Sequence, residues 1–263
     1  MSICRGAIVD VDGTLVRGDD LLPGAKDGVN TLRENEIDLL FFSNNPTRPP
    51  EHYVERLGAH DIGIDAEQVL TSALVTAEFL ETEYEERDLF VVGEPYLRDL
   101  LCERGFTVRD DPDVGEVVVG SIDREFDYEE LTRALWALED GSPFVGTDPD
   151  VTIPTPERLV PGSGAIINAI AGVAGRDPDH VLGKPAPEAG AAALERLGVQ
   201  AEDCLVIGDR LDTDIALGEH IGATTVLVHS GVATPDDLED SEIRPDYILD
   251  SVGQIGEVLG DRV

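Results

Sequence analysis

The sequence predicts an α/β protein with a doubly wound parallel sheet as its core and a smaller α/β unit inserted into that core. Short, continuously apolar runs alternate with segments whose apolar residues recur at helical spacing, which is typical of parallel strands covered by helices on both faces. This pattern is present at both ends of the 263-residue chain, and the middle third carries an α/β pattern of its own. Such a length corresponds to one large or two small domains.

The core elements are predicted first from the two ends of the chain. Residues 4–9 form an apolar run that ends at Asp10, and a helix begins after Pro23-Gly24. The next apolar run, residues 37–42, predicts a second buried strand with Ser43-Asn44 at its tip. Toward the other end the same reasoning predicts a strand at 204–207, a helix at 211–221 and strands at 224–228 and 247–249.

The middle third predicts the inserted unit. Its elements are a helix at 67–84, a strand at 89–92, a helix at 95–104, strands at 106–108 and 117–119, a helix at 128–138 and a strand at 144–146. We therefore expect core segments at residues 1–77 and 180–263 and an insert at 78–179. The proline-containing stretch 151–159 is expected to form a loop facing the substrate, with Glu157 and Arg158 in it.

The charge of the chain excludes some classes of partner. The formal net charge is −36 at pH 7, and the sequence contains two lysines, Lys26 and Lys184. Nucleic acids and anionic membranes are both repelled by such a field, because their binding depends on Lys and Arg. A charge of this size is tolerated where salt screens it, since the Debye length is about 3 Å at 1 M salt. The composition therefore predicts a halophilic host with a salt-rich cytoplasm.

The chain is predicted to be cytoplasmic. No apolar run reaches the ~18 residues of a membrane span, and the amino-terminal residues lack the features of a signal peptide. The cysteines Cys4, Cys102 and Cys204 show no paired spacing of the kind that zinc sites or disulfide frameworks use. They are interpreted as small core residues of a protein in a reducing compartment.

Polar residues follow the first two predicted strands. Asp10 and Asp12 lie on one side of the chain as it leaves the sheet, because side chains alternate along a strand. Two carboxylates this close are reasonable if a divalent cation lies between them, since Mg²⁺ is held by a few carboxylates and brings phosphate with it. Ser43 and Asn44 offer a hydroxyl and an amide to a phosphoryl oxygen, although such a pair is also common in simple turns.

Two later motifs add a cation and further carboxylates. Lys184, between Gly183 and Pro185, is either a solvated lysine or a point charge that neutralises a phosphate and an ionised aspartate. Asp209 follows a predicted strand, which makes it the better candidate for a metal ligand. Asp212 and Asp214 would equally suit the acidic first turn of a helix.

In sequence order these motifs read Asp-x-Asp-Gly-Thr, Ser, Lys and Gly-Asp-x-x-x-x-Asp. The chain in this respect resembles the haloacid dehalogenase-like (HAD) superfamily of phosphotransferases, over nearly its whole length. It is similar to the p-nitrophenylphosphatase or NagD-like subgroup, whose pattern also matches residues 91–94, 117–120 and 147–150. The resemblance implies a Rossmann-like core with a cap domain inserted between the second and third motifs.

The resemblance also implies a chemistry. It implies a Mg²⁺-dependent phosphatase acting on small phosphomonoesters, such as sugar phosphates, nucleoside monophosphates, phosphoglycolate or p-nitrophenyl phosphate, through an aspartyl-phosphate. In this scheme Asp10 is the nucleophile, and Asp12 is first the general acid and then the base. The ligands implied for Mg²⁺ are the Asp10 side chain, the Asp12 backbone carbonyl and Asp209, with Asp214 behind them. The phosphoryl group is assigned to Ser43, Asn44 and Lys184.

Other readings stay open at this stage. Asp148 stands where the subgroup usually has Asn, which either alters the accepted leaving group or is one more acidic substitution of a halophile. A phospho-accepting signalling protein of the receiver type uses similar residues, but it needs only ~120 residues and has no cap. A catalytically silent metabolite-binding protein on the same fold would be expected to lack at least one of four charged site residues, which are Asp10, Asp12, Lys184 and Asp209. A homodimer formed through the cap is also left open by the resemblance.

Overall fold

A computed structural model describes residues 4–155 and 158–260 of the chain. The chain divides into two compact units, the second of which interrupts the first along the sequence. The first unit consists of Met1–Ser43, Pro50–Leu70 and Lys184–Val263. The second consists of Asn44–Pro49 and Thr71–Gly183. Each unit has its own parallel sheet with helices packed on it.

The strands and helices of the described residues are numbered in chain order. The strands are β1 (Gly6–Asp10), β2 (Val16–Arg17), β3 (Asp20–Leu21), β4 (Asp38–Ser43), β5 (Val69–Thr71), β6 (Asp88–Val92), β7 (Thr107–Arg109), β8 (Val117–Gly120), β9 (Phe144–Gly146), β10 (Thr152–Pro154), β11 (Leu159–Pro161), β12 (His180–Val181), β13 (Cys204–Gly208), β14 (Thr224–Val228) and β15 (Tyr247–Leu249). The helices are α1 (Ala25–Glu34), α2 (Pro50–Gly58), α3 (Ser72–Glu83), α4 (Pro95–Glu103), α5 (Tyr128–Ala137), α6 (Ser163–Ala174), α7 (Pro187–Leu197), α8 (Ala216–Ile221), α9 (Pro235–Asp240) and α10 (Ile255–Gly260).

The sheet of the first unit has the strand order β15-β14-β13-β1-β4-β5. Strand β1 lies between β13 and β4 and is parallel to both. All five of its residues are buried, which explains its continuously apolar sequence up to Asp10. Helix α1 buries Ala25, Val29 and Leu32 along one face, as the helical spacing predicts. The carboxyl ends of β1, β4 and β13 consequently meet at one edge of this sheet.

The sheet of the second unit has the order β12-β9-β8-β6-β7, and its paired strands are parallel. Its core is formed by buried aromatic and aliphatic residues of the sheet and of α5 and α6, among them Phe90, Val118, Phe144, Ile167 and Ile170. Strands β10 and β11 form a separate antiparallel pair. The predicted fold class is therefore confirmed: an α/β protein with two parallel sheets.

Two predicted helices are wrong in part. The helix predicted at 67–84 consists of a short 3-10 turn, strand β5 and then α3. Val69, Leu70 and Thr71 are buried and take the edge position of the first sheet, so tertiary pairing outweighs their helical spacing. The Thr71 hydroxyl accepts a hydrogen bond from Leu74 N and thereby caps α3.

The helix predicted at 211–221 begins with one turn of π-helix, Leu211–Ile215, before α8. In this turn the amide of Ile215 donates to the carbonyl of Arg210. The expected loop at 151–159 contains β10, and Pro156 and Glu157 lie outside the described residues. Helix α2 and the hairpin of β2 and β3 were not predicted. The limits proposed for the insert, residues 78 and 179, stay a prediction.

None of the helices in residues 4–155 and 158–260 combines the length and the hydropathy that crossing a bilayer requires.

Candidate active site

The candidate site lies at the strand ends of the first unit. Asp10 is the last residue of β1, Ser43 is the last residue of β4, and Asp209 directly follows β13. The register pairs Asp10 with Phe42 of β4, and β13 is parallel to β1 on its other side. Open parallel sheets characteristically bind ligands beyond the carboxyl ends of their strands. All three residues are buried.

Lys184 connects two of the carboxylates. Its Nζ donates to Asp10 Oδ1 at 2.6 Å, to Asp214 Oδ1 at 2.7 Å and to the Phe42 carbonyl at 3.0 Å. Only 2% of the residue is exposed, so the solvated alternative for this lysine is excluded. Burial by itself lowers the pKa of Lys184, but the charges of Asp10 and Asp214 outweigh burial, and the net effect is a raised pKa. The ammonium is therefore held in its charged form.

Three carboxylates form a buried cluster in this unit. Each of Asp10, Asp209 and Asp214 contributes an oxygen, and these oxygens lie within 4.8 Å of one another. Burial raises the pKa of Asp10 well above its ordinary value, with Asp214 and Asp209 adding to the rise and Lys184 opposing it. Burial and then the charge of Asp214 raise the pKa of Asp209 to about 7. One ammonium does not neutralise three buried carboxylates, so the cluster favours a further cation.

The hydrogen bonds of the cluster show which oxygens could receive that cation. Asp10 Oδ2 and Asp209 Oδ1 are buried and have no hydrogen-bond partner among the described residues. Both oxygens of Asp214 are occupied, Oδ1 by Lys184 and Oδ2 by the amide of Arg210 at 3.1 Å. A buried carboxylate oxygen without a partner is costly, and hard divalent cations take oxygen ligands of this kind. The residues therefore fit a divalent cation held by Asp10 and Asp209, with Asp214 orienting Lys184.

Glycines make room for the Asp209 carboxylate. A Cβ atom at Gly13 or at Gly231 would overlap that carboxylate, and Gly13 also has a φ of +100°. The Asp209 carboxylate accepts from the amide of Val232 at 2.7 Å through Oδ2, which fixes its orientation. Only glycine fits at these two positions, because the side chain of another residue would displace the Asp209 carboxylate. The glycine in the Asp-x-Asp-Gly-Thr motif is thus explained by packing against Asp209.

Asp12 lies beside this cluster and has different contacts. Its side chain is 44% exposed, and Oδ1 pairs with the Arg56 guanidinium at 2.8 Å. Ser43 Oγ lies 3.5 Å from Asp12 Oδ2 and accepts from the Tyr53 hydroxyl at 3.0 Å. Tyr53 and Arg56 both belong to α2 and were missed from the sequence. The available signal was a helix starting at Pro50 with Tyr53 and Leu57 at helical spacing.

Asn44 and Asp148 belong to the second unit. Asn44 directly follows Ser43 in the chain, is buried, and its carbonyl accepts from Ser72 Oγ at 2.7 Å. Asp148 is buried and accepts from Thr147 Oγ1 at 3.0 Å and from the Asp150 amide at 3.2 Å. Burial and then the charge of Asp150 raise the pKa of Asp148 to about 8. A role of Asn44 in binding phosphate stays a prediction.

The chain matches known families and proteins over most of its length. Residues 7–107 match the family model described as haloacid dehalogenase-like hydrolase, and residues 181–255 match a second HAD-hydrolase-like model. The acid sugar phosphatase of Staphylococcus haemolyticus is 35% identical over 243 residues, which cover 92% of each protein.

Solved structures also match the chain over almost its whole length. The p-nitrophenyl phosphatase from Archaeoglobus fulgidus has a TM-score of 0.91 and 34% identity, and the alignment covers 98% of this chain and 100% of that one. NagD from E. coli K-12 has a TM-score of 0.87 and 30% identity, covering 97% of this chain and 99% of that one. The chain belongs to the haloacid dehalogenase-like hydrolase family. Within it, the chain is an HAD-like phosphoric monoester hydrolase of the p-nitrophenylphosphatase and NagD-like subgroup.

Proposed function

We propose that this protein is a Mg²⁺-dependent phosphatase that hydrolyses small-molecule phosphomonoesters through an aspartyl-phosphate on Asp10. The observation that carries the proposal is the environment of Asp10. One of its oxygens is bound by Lys184, and the other is buried with no hydrogen-bond partner in the part of the chain that the structure describes. Nucleophilic catalysis by a carboxylate divides a difficult displacement into two easier ones.

The substrate class is proposed from the relatives. One is named an acid sugar phosphatase and another a p-nitrophenyl phosphatase. We therefore propose sugar phosphates as the first substrates to test and p-nitrophenyl phosphate as the reporter substrate. The net charge of −36 disfavours nucleic acids and anionic membranes as partners, and we propose a small phosphorylated metabolite as the ligand. We also propose a cytoplasmic location.

The chain's own residues divide the reaction between them. Asp10 attacks phosphorus while Lys184 neutralises charge beside it, and Asp12 gives a proton to the leaving oxygen. Asp12 then takes a proton from the water that hydrolyses the aspartyl-phosphate, which restores the Asp10 carboxylate and the protonated Asp12. Ser43 and Asn44 are proposed to donate to the phosphoryl oxygens. When bound by Asp10, the Asp12 carbonyl and Asp209, Mg²⁺ would supply positive charge to the phosphoryl group.

The test is release of inorganic phosphate from a panel of sugar phosphates and p-nitrophenyl phosphate in about 2 M KCl. Wild type would be compared with Asp10→Asn, with and without Mg²⁺. Asp212→Asn is the matched control, because Asp212 lies three residues after Asp209, in the π-helical turn, but its side chain is 71% exposed. Turnover that needs both Mg²⁺ and Asp10, and that survives in the control, is expected.

Two results would contradict the proposal. Turnover that persists in Asp10→Asn would remove this carboxylate as the nucleophile. Absence of turnover on every ester, with folded protein that binds Mg²⁺, would favour the phospho-accepting or metabolite-binding alternatives. Mass spectrometry of the quenched wild-type reaction is expected to find a phosphoryl group on Asp10, and the variant is expected to show none.

A further inference from the structure

The guanidinium of Arg56 connects Asp12 to the hairpin formed by β2 and β3. It contacts Asp12 Oδ1 at 2.8 Å. Its Nε donates to the Gly18 carbonyl at 2.9 Å, and the terminal nitrogen that contacts Asp12 also contacts this carbonyl. The Arg56 side chain is only 12% exposed, whereas that of Asp12 is 44% exposed. A planar guanidinium with several fixed donors can hold two acceptors in one geometry, which an ammonium cannot do as rigidly.

Asp12 has little else to fix its side chain. Within residues 4–155 and 158–260, the other hydrogen bond of its carboxylate is to Ser43 Oγ, and at 3.5 Å it is long. A half-exposed carboxylate with one weak contact would otherwise exchange between staggered rotamers. The short contact with Arg56 therefore decides where this carboxylate points.

The element that carries Arg56 is itself held firmly. Tyr53 is on the same face of α2, three residues earlier, and is fully buried. Its hydroxyl donates to Ser43 Oγ at the end of β4. The base of the hairpin is continuous with Asp12, because Asp12 forms a bridge with Val16 and the Gly13 amide donates to the Val16 carbonyl. Arg56 thus ties Asp12 to two ordered elements at once.

We propose that Arg56 is a positioning residue for the phosphatase reaction, which holds the Asp12 carboxyl group where, when protonated, it can give its proton to the leaving oxygen. This inference rests on the proposed function and assigns a role that the motifs do not include. Orientation of a catalytic group contributes to rate without any contact between the orienting residue and the substrate.

The inference predicts dependence on the leaving group. An alkoxide leaves poorly and needs the proton of the general acid, whereas p-nitrophenolate leaves readily without it. General acid catalysis contributes about 10²-fold to 10⁴-fold. Arg56→Ala is therefore expected to lower kcat for glycerol 2-phosphate about tenfold or more beyond its effect on p-nitrophenyl phosphate, with KM for both changed less than about threefold.

His60→Ala is the matched control. His60 Nε2 lies 2.8 Å from the Asp19 carbonyl in the same hairpin turn, so this substitution removes a hairpin contact and leaves the contact between Arg56 and Asp12. It is expected to lower the activity on both substrates by a similar factor. Addition of guanidinium ion at non-denaturing concentration is expected to restore part of the lost kcat to Arg56→Ala and nothing to the control.

The outcomes distinguish failure of the role proposed for Arg56 from failure of the proposed phosphatase function. Equal losses on the two esters in Arg56→Ala, while wild type is active, would overturn the role of Arg56 and leave the phosphatase proposal intact. Inactivity of wild type on both esters would overturn both. Should Arg56→Ala fail to fold, Arg56→Lys serves instead, because it keeps the charge beside Asp12. In Arg56→Lys, kcat for glycerol 2-phosphate is again expected to fall more than kcat for p-nitrophenyl phosphate, but the difference between the two losses is smaller. Equal losses would again overturn the inference.

Discussion

Replacement of Lys184 by Met removes the cation that joins Asp10 to Asp214, and the structure gives the expected cost. The ammonium lies 2.6 Å from Asp10 Oδ1 and 2.7 Å from Asp214 Oδ1, with both pairs almost completely buried. Removal of one partner of a buried ion pair typically costs about 3–5 kcal/mol, because it leaves uncompensated charge in the interior. We expect Lys184→Met to lower the free energy of unfolding by about this amount near pH 8.

The loss is expected to depend on pH in a defined direction. Burial already raises the pKa of Asp10 above its ordinary value, and Lys184 is the group that opposes this rise. In the variant, the folded-state pKa of Asp10 therefore lies still further above the unfolded value of about 3.9. A raised carboxyl pKa means that the folded state binds more protons than the unfolded state, so stability falls as the pH rises. The deficit of Lys184→Met is expected to be smaller near pH 5 than near pH 8.

The assay is urea unfolding followed by circular dichroism in about 2 M KCl, with EDTA present so that divalent cations do not contribute. Lys26→Met is the matched control, because it removes the other lysine of the chain, whose partner Asp61 is on the surface. The control is expected to unfold at a urea concentration near that of wild type at both pH values. Adding Asp214→Asn to Lys184→Met is expected to recover part of the loss. Equal midpoints for the two lysine variants at pH 8, or a deficit that does not change with pH, would refute this reasoning.

Three further predictions concern other parts of the chain. Asp148→Asn is expected to stabilise the protein near pH 8 and to have less effect toward pH 4. The folded-state pKa of Asp148 is raised to about 8, so wild type loses stability as the pH rises from 4 to 8. A difference in unfolding midpoint that stays constant with pH would contradict this. Tyr53→Phe is expected to cost about 1 kcal/mol in urea unfolding, because it removes the hydroxyl that donates to Ser43 Oγ; an unchanged midpoint would show that this hydrogen bond contributes nothing. Phosphatase activity is expected to rise between low and molar KCl, since screening reduces the repulsion between phosphate and a protein of net charge −36; a flat or falling rate with folded protein would count against this.

Much of the fold could be predicted because local sequence and buried position agree. The continuously apolar runs before Asp10 and before Asp209 lie in central, fully buried strands, and these were predicted to within a residue or two. Strand β5 was missed, because the helical spacing of its residues continues into α3. These residues form a strand because they pair with the edge of the sheet. The short hairpin of β2 and β3 was missed for a related reason, since two residues per strand give no detectable alternation.

The candidate site divides in the same way. The sequence by itself determined that carboxylates stand at two strand ends, because Asp10 and Asp209 each end or follow an apolar run that forms a buried strand, and the order of the motifs indicated the family. Only the tertiary structure decided that Lys184 pairs with Asp10 and Asp214, which lie 174 and 30 residues away in the sequence. It also decided that Arg56 holds Asp12. The physical reason is that distances between side chains are set by strand register and helix packing, and neither is encoded in the spacing of residues along the chain.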